Sequence, residues 1–174
     1  MVPKALTVKF FLPLLVFLAL PLTAQVEWLS WEEAMQRQAA EPKPMLVDVY
    51  TDWCGWCKQM DKKVFSEKQI ARYIADNFYA VKLNAEQTED IVYDNHTFKY
   101  DPNNGRRGVH ALAVALLDGR MSYPSVVYLD EQRNRITISP GFKPAERYIH
   151  ELRYIKERHW KTQSFQDYLA GLSK

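Results

Sequence analysis

The spacing of apolar residues along this chain changes several times, and each change marks an element. Met45-Leu46-Val47-Asp48-Val49-Tyr50-Thr51 is apolar and rich in β-branched residues, broken by a single acid, and reads as a buried strand. Residues 58–65 have helical character, so Asp52-Trp53-Cys54-Gly55-Trp56-Cys57-Lys58 falls at a strand-to-helix junction. Ser66, with Gln69 three places on, signals another helix start, and Ile70, Tyr73, Ile74 and Phe78 line its apolar face. Residues 78–84 form the next strand, which predicts a right-handed strand-helix-strand unit with parallel pairing. Upstream, Ser30-Trp31-Glu32-Glu33 is a capping box. The helix it opens carries Trp31, Ala34, Met35 and Gln38 on one face and ends at Pro42-Lys43-Pro44, which makes it a cover for the sheet. Trp28 and Trp31 read as packing residues.

Downstream the pattern weakens and then returns. Residues 85–108 are polar and rich in turn formers around Asp101-Pro102-Asn103-Asn104-Gly105, where glycine and the distal glutamate are wrongly spaced for a calcium loop. A segment this long without a pattern of its own is usually functional or disordered, and the expectation is that it borders the chemistry and selects partners. Val109, Leu112, Ala113, Leu116 and Leu117 make a helix face that Asp118-Gly119 stops. Residues 125–130 and 135–139 form an antiparallel hairpin. Pro144 opens a helix bearing Tyr148, Leu152 and Ile155, and Phe165, Tyr168, Leu169 and Leu172 predict a last short helix with a packing role.

The first 24 residues have a different character. Lys4 and Lys9 precede an apolar stretch interrupted by Pro13, and Pro21-Leu22-Thr23-Ala24 follows it. This is the pattern of a secretory leader over 1–24, cut after Ala24 and too short for the ~20 apolar residues of a spanning helix. An uncleaved anchor is the alternative, because Leu22 is not the small residue preferred there; only in that case is a membrane a partner. The expected location is extracytoplasmic or periplasmic, with residues 25–174 forming one domain. The leader takes two of the 23 basic residues and none of the 21 acids, leaving charge balanced at 21 against 21. A balanced chain lacks the footprint of phosphate-backbone binding, so nucleic acid is excluded as a partner, and the basic pair Arg106-Arg107 reads as a solvated loop.

Cys54 and Cys57 are the only cysteines. A helix start beside Cys54 presents unpaired N–H groups and the positive end of the helix dipole, which favour a thiolate. Its pKa is expected to fall from ~8.5 into the ~3.5–7.5 range of such sites, with Cys54 exposed and Cys57 shielded one turn further in. A disulfide closing so short a loop removes little unfolded-state entropy, which makes it a poor staple. Half a zinc site is the competing reading. Structural zinc takes four ligands, and His96, His110, His150 and His159 lack a close spacing, so a metal would need a dimer sharing two cysteine pairs. Neither metal nor organic cofactor is expected.

At these residues the chain resembles the thioredoxin-like family, in the secreted branch with a Trp-Cys-x-Trp-Cys-Lys-x-Met-Asp run, here Trp53 to Asp61. Asp48 matches the family's buried acid that assists proton movement at the second cysteine, and Lys82 in Val81-Lys82-Leu83-Asn84 matches its partner lysine. Tyr123-Pro124-Ser125 looks like the loop whose proline is cis and faces the disulfide. The resemblance implies an α/β thioredoxin fold: a central mixed sheet with helices on both faces, plus a long insert before the cis-proline loop and an extra C-terminal helix. It further implies a redox-active Cys54–Cys57 disulfide, with catalytic roles for Cys54, Cys57, Asp48 and Lys82 and substrate contacts from Trp53, Trp56, Tyr123 and Pro124. The partners would be disulfide-containing client proteins and an electron donor. Gly55-Trp56 stands where thioredoxin has Gly-Pro, and that dipeptide helps set a potential that spans roughly 150 mV across the fold. The expected activity is reduction of partner disulfides by dithiol–disulfide exchange through Cys54 and Cys57; an oxidase or isomerase, and a binding module with its disulfide shut, are the alternatives.

Overall fold

A computed structural model describes residues 25–172, so the leader expected over 1–24 lies outside the described residues. The elements are β1 (Trp28–Leu29), α1 (Trp31–Ala40), β2 (Met45–Tyr50), α2 (Gly55–Met60) running into a π-helical turn (Asp61–Phe65), α3 (Lys68–Asn77) and β3 (Tyr79–Asn84). Four short strands follow, β4 (Ile91–Tyr93), β5 (His96–Phe98), β6 (Tyr100–Asp101) and β7 (Val109–His110). Then come α4 (Ala111–Leu116), β8 (Ser125–Leu129), β9 (Arg135–Pro140), α5 (Ala145–Lys156), a 3-10 turn (His159–Lys161) and α6 (Phe165–Leu172).

The main sheet has the order β1-β3-β2-β8-β9, with β2 parallel to β3 and antiparallel to β8, so it is mixed, as expected. Its central strands are buried on both sides, and their alternation sorts residues between two cores. Met45, Val47, Val49, Val81, Leu83, Val127 and Leu129 join Trp31, Ala34, Leu112 and Leu116 beneath α1 and α4. Leu46, Ala80, Val126 and Tyr128 join Met60, Val64, Ile70, Ile74, Tyr148 and Leu152 beneath α2, α3 and α5. Asp48 shares the parity of Leu46, and Lys82 that of Ala80, so both polar side chains face the second core. Among the described residues no helix is long and apolar enough to cross a membrane.

The capping box at Ser30 is formed in full, with Glu33 N–H donating to Ser30 Oγ at 3.1 Å and Ser30 N–H to Glu33 Oε2 at 2.8 Å. The second predicted start is displaced. Glu67 is the N-cap of α3 and has no side-chain cap bond, because Ser66 Oγ instead donates to Lys62 O at 2.6 Å inside the π-helical turn. Residues 85–108 are also more ordered than their sequence suggests. They hold the β4–β5 hairpin, which turns through Asp94 and Asn95 at φ 51° and 59°, and the strand β6, which pairs with β7 just beyond them in a second hairpin. Val109 belongs to β7, so α4 begins two residues later than its apolar pattern, capped by the His110 side chain. The C-terminal helix α6 packs as expected, with Tyr168 buried and its ring 5.5 Å from that of Tyr154 on α5.

Candidate active site

Cys54 is the N-cap of α2, and its sulfur accepts the Cys57 N–H at 3.0 Å. The turn before it closes through Cys54 N–H to Thr51 O at 3.1 Å, so the end of β2 runs directly into the helix start. The two cysteines are joined, with Cα atoms 5.3 Å apart. The helix lacks acidic residues in its first turn, so the positive end of its dipole is not offset locally.

Cys54 is 5 % exposed and Cys57 2 %. The greater shielding of Cys57 agrees with expectation, but the exposed first sulfur does not hold for the disulfide form. The bond to Cys57 covers one side of the Cys54 sulfur and the Cys57 N–H covers another. It nevertheless lies just beneath the surface, because Asp52, Trp53, Gly55, Trp56 and Lys58 around it are exposed. Trp53 and Trp56, at 53 % and 63 %, are large apolar side chains left in solvent on either side of it. Each rests on another ring: Trp53 meets Tyr123 edge-on at 6.0 Å, and Trp56 tilts against Phe142 at 5.5 Å.

The Tyr123-Pro124 bond is cis, and Pro124 is buried at the head of β8. Its carbonyl accepts the Gly141 N–H at 2.8 Å, which ties the loop to the end of β9. Burial, reinforced by the nearby Glu86 carboxylate, pushes the Tyr123 hydroxyl up to about 12, so it stays protonated and available to donate.

Asp48 and Lys82 are cross-strand partners in the parallel β2–β3 ladder, and Lys82 Nζ lies 2.7 Å from Asp48 Oδ2. The other Asp48 oxygen, Oδ1, is buried without a hydrogen-bond partner among the described residues. Burial raises the Asp48 pKa to about 6, against the pull of Lys82. Lys82 is itself penalised by burial, but Asp48 and Asp61 together outweigh this and hold it charged, its pKa raised. Asp61, at the start of the π-helical turn, forms the third member of the group through an ion pair with Lys82. The rings of Trp28, Tyr50 and Phe65 lie 4.6, 5.1 and 5.4 Å from the ammonium. A charge enclosed by aromatic faces and two carboxylates is well compensated. Asp48 is buried whereas Asp61 is half exposed, so the cluster runs from the core to solvent.

Sequence reasoning named Asp48 and Lys82 but not Asp61 as a site residue, although Asp61 closes the Trp53 to Asp61 run. Its position four residues after Cys57 on a continuing helix was the available signal. Glu86 was also missed: it accepts the Trp53 Nε1–H at 2.8 Å and fixes that ring. Beside it opens a cleft of about 790 Å³ lined by Trp53, Glu86, Arg107, Val109, Met121 and Tyr123. The tip of the β6–β7 hairpin forms one wall, so the insert does border the cysteine loop. Among the described residues no cluster of three or more His, Cys, Asp or Glu side chains is arranged to hold a metal.

The fold and site together define a class: a thioredoxin fold whose paired cysteines form a disulfide at a helix start, with a cis proline in the β8 loop. Over residues 16–169 the chain matches the family Thioredox_DsbH, described as "Protein of unknown function, DUF255", and it belongs to that family. It is 30% identical over 81 residues to human Spermatogenesis-associated protein 20, covering 46% of this chain and 10% of that protein. It is 27% identical over 123 residues to the thiol:disulfide interchange protein DsbD of Ralstonia nicotianae, covering 70% of this chain and 17% of that one. The chain therefore spans a small part of the length of these relatives. A solved structure described as a DsbH oxidoreductase superposes with a TM-score of 0.55 at 18% identity, over 79% of this chain and 89% of that one. That likeness supports the fold.

Proposed function

We propose that this protein is an exported thiol–disulfide oxidoreductase that reduces disulfides of partner proteins. The observation that carries the reading is the Cys54–Cys57 disulfide at the start of α2, with the Cys54 sulfur already accepting a helix N–H. An acceptor held there is stabilised most when it bears a full negative charge. In the reduced protein, the Cys54 thiolate attacks one sulfur of a client disulfide. That S–S bond breaks, the client's first sulfur leaves and takes a proton, and a Cys54–client disulfide forms. Cys57, giving its proton to Asp48, then attacks Cys54. The Cys54–Cys57 bond closes and the second client sulfur leaves as a thiolate. The client gains two electrons and the protein loses two, which a dithiol donor must return.

Asp48 suits the acceptor role because it combines burial with an unpaired oxygen and a pKa near 6, while Lys82 and Asp61 offer the proton a route outward. Trp53 and Trp56 supply apolar contact to an extended client segment, and the backbone beside Pro124 pairs with it as an added strand. The leader pattern over 1–24 supports an extracytoplasmic, periplasmic location for this chemistry. No cofactor is needed, since the electrons move between sulfurs.

The burial of Cys54 favours one other reading, a binding module whose disulfide stays shut. Turnover of insulin with dithiothreitol as donor separates the two. The oxidoreductase reduces insulin catalytically, whereas a folded protein that leaves insulin untouched is the module. Equilibration with glutathione then gives the direction, since a reductase sits more reducing than the ≈ −180 mV typical of a disulfide isomerase.

A further inference from the structure

We propose that the cleft beside Trp53 selects client segments carrying an acidic side chain next to the cysteine under attack, read by Arg106 and Arg107. This rests on the oxidoreductase reading and adds a substrate class to it.

The hairpin tip that carries the two arginines is held in place. Gly108 sits at φ +75°, and a Cβ there would overlap the Tyr100 hydroxyl. That hydroxyl donates to Arg107 O at 2.6 Å, so the glycine allows the ring to pin the loop. The Asp101 carboxylate is engaged within the same turn, accepting the Asn103 N–H at 2.9 Å. The Arg107 guanidinium lies 5.7 Å from the centre of the Trp53 ring, the residue adjoining Cys54.

The charges around the cleft are unbalanced. Arg106 and Arg107 are exposed, and neither has a carboxylate within salt-bridge distance among the described residues. Glu86 is the acid in the lining, and its carboxylate already takes the Trp53 indole N–H. At about 790 Å³ the space is large enough for several side chains and is walled by Val109, Met121 and Tyr123. An extended segment entering it meets the rings of Trp53 and Tyr123, the side chains of Val109 and Met121, and two cations without a carboxylate partner among the described residues. A segment with Asp or Glu beside its cysteine gains charge-assisted hydrogen bonds there, while one with Lys or Arg is repelled.

The test uses three fluorogenic peptide disulfides, identical except for Glu-Glu, Gln-Gln or Lys-Lys beside the cysteine. Their second-order reduction rates are measured with the reduced wild-type protein and with the Arg106→Gln/Arg107→Gln variant. The expected order is Glu-Glu, Gln-Gln, Lys-Lys, with about tenfold between the extremes at low salt, a gap set by two partly exposed pairs acting on encounter. The ratio shrinks at ~0.5 M salt and approaches one in the variant. Equal rates for the three peptides, a reversed order, or an unchanged ratio in the variant overturns the selection while leaving the redox reading intact. Failure to reduce any of the three overturns both.

Discussion

Replacing Cys57 with serine is expected to halt the reaction halfway. The Cys57→Ser protein keeps the Cys54 sulfur at the start of α2, so it still attacks a client disulfide, but nothing three residues along can release the product. Mixed disulfides accumulate and appear as adducts on non-reducing gels. Insulin turnover should fall by on the order of 10³-fold or more, the loss typical when a reacting group is removed. Cys54→Ser should lose the same activity without accumulating adducts. If Cys57→Ser turns over normally, or Cys54→Ser traps the same clients, the assigned order of attack is wrong.

Asp48→Asn is expected to have the second-largest effect, with opposite signs in catalysis and stability. The carboxylate is the base only when ionised, so wild-type resolution of the mixed disulfide should slow as pH falls through about 6. Asparagine cannot take the proton, and resolution should slow on the order of 10²-fold with that inflection gone. Stability moves the other way. The folded-state pKa lies above the ordinary aspartate value of 3.8, so the native protein binds the proton more tightly than the unfolded chain. The oxidised wild type should therefore gain stability as pH falls from about 7 towards 4 and lose it as pH rises through about 6. The full swing is about 3 kcal/mol, and Asn removes it. Urea unfolding across this range checks the sign, and a wild type that loses stability over that pH fall contradicts the burial-dominated assignment.

The sequence shows where the chemistry sits more clearly than how it is covered. The strand carrying Asp48 and the strand carrying Lys82 were legible because both are short apolar runs with one polar break. Once the two runs pair in parallel, the breaks fall opposite each other. Asp61 is less legible because its contact with Lys82 depends on the π-helical turn, and the Lys62-Lys63 pair that follows it makes it look like part of a solvated face. The hairpins of residues 91–110 have strands of two or three residues, too short for alternation to register, and of these strands only Ile91 and His110 are buried. The approach of Arg107 to Trp53 joins residues far apart in sequence, where no local pattern could predict it. The burial of Cys54 is likewise tertiary, arising from the closed disulfide and the fold around it.

These effects meet at the acidity of one sulfur. Iodoacetamide alkylation of the reduced protein, followed by mass spectrometry across pH 4–10, measures it directly. One thiol, Cys54, should react first, with a midpoint about one to several units below the ~8.5 of a free cysteine. Two thiols reacting together near ~8.5, or a Cys54 that stays unreactive until the protein unfolds, would contradict the account.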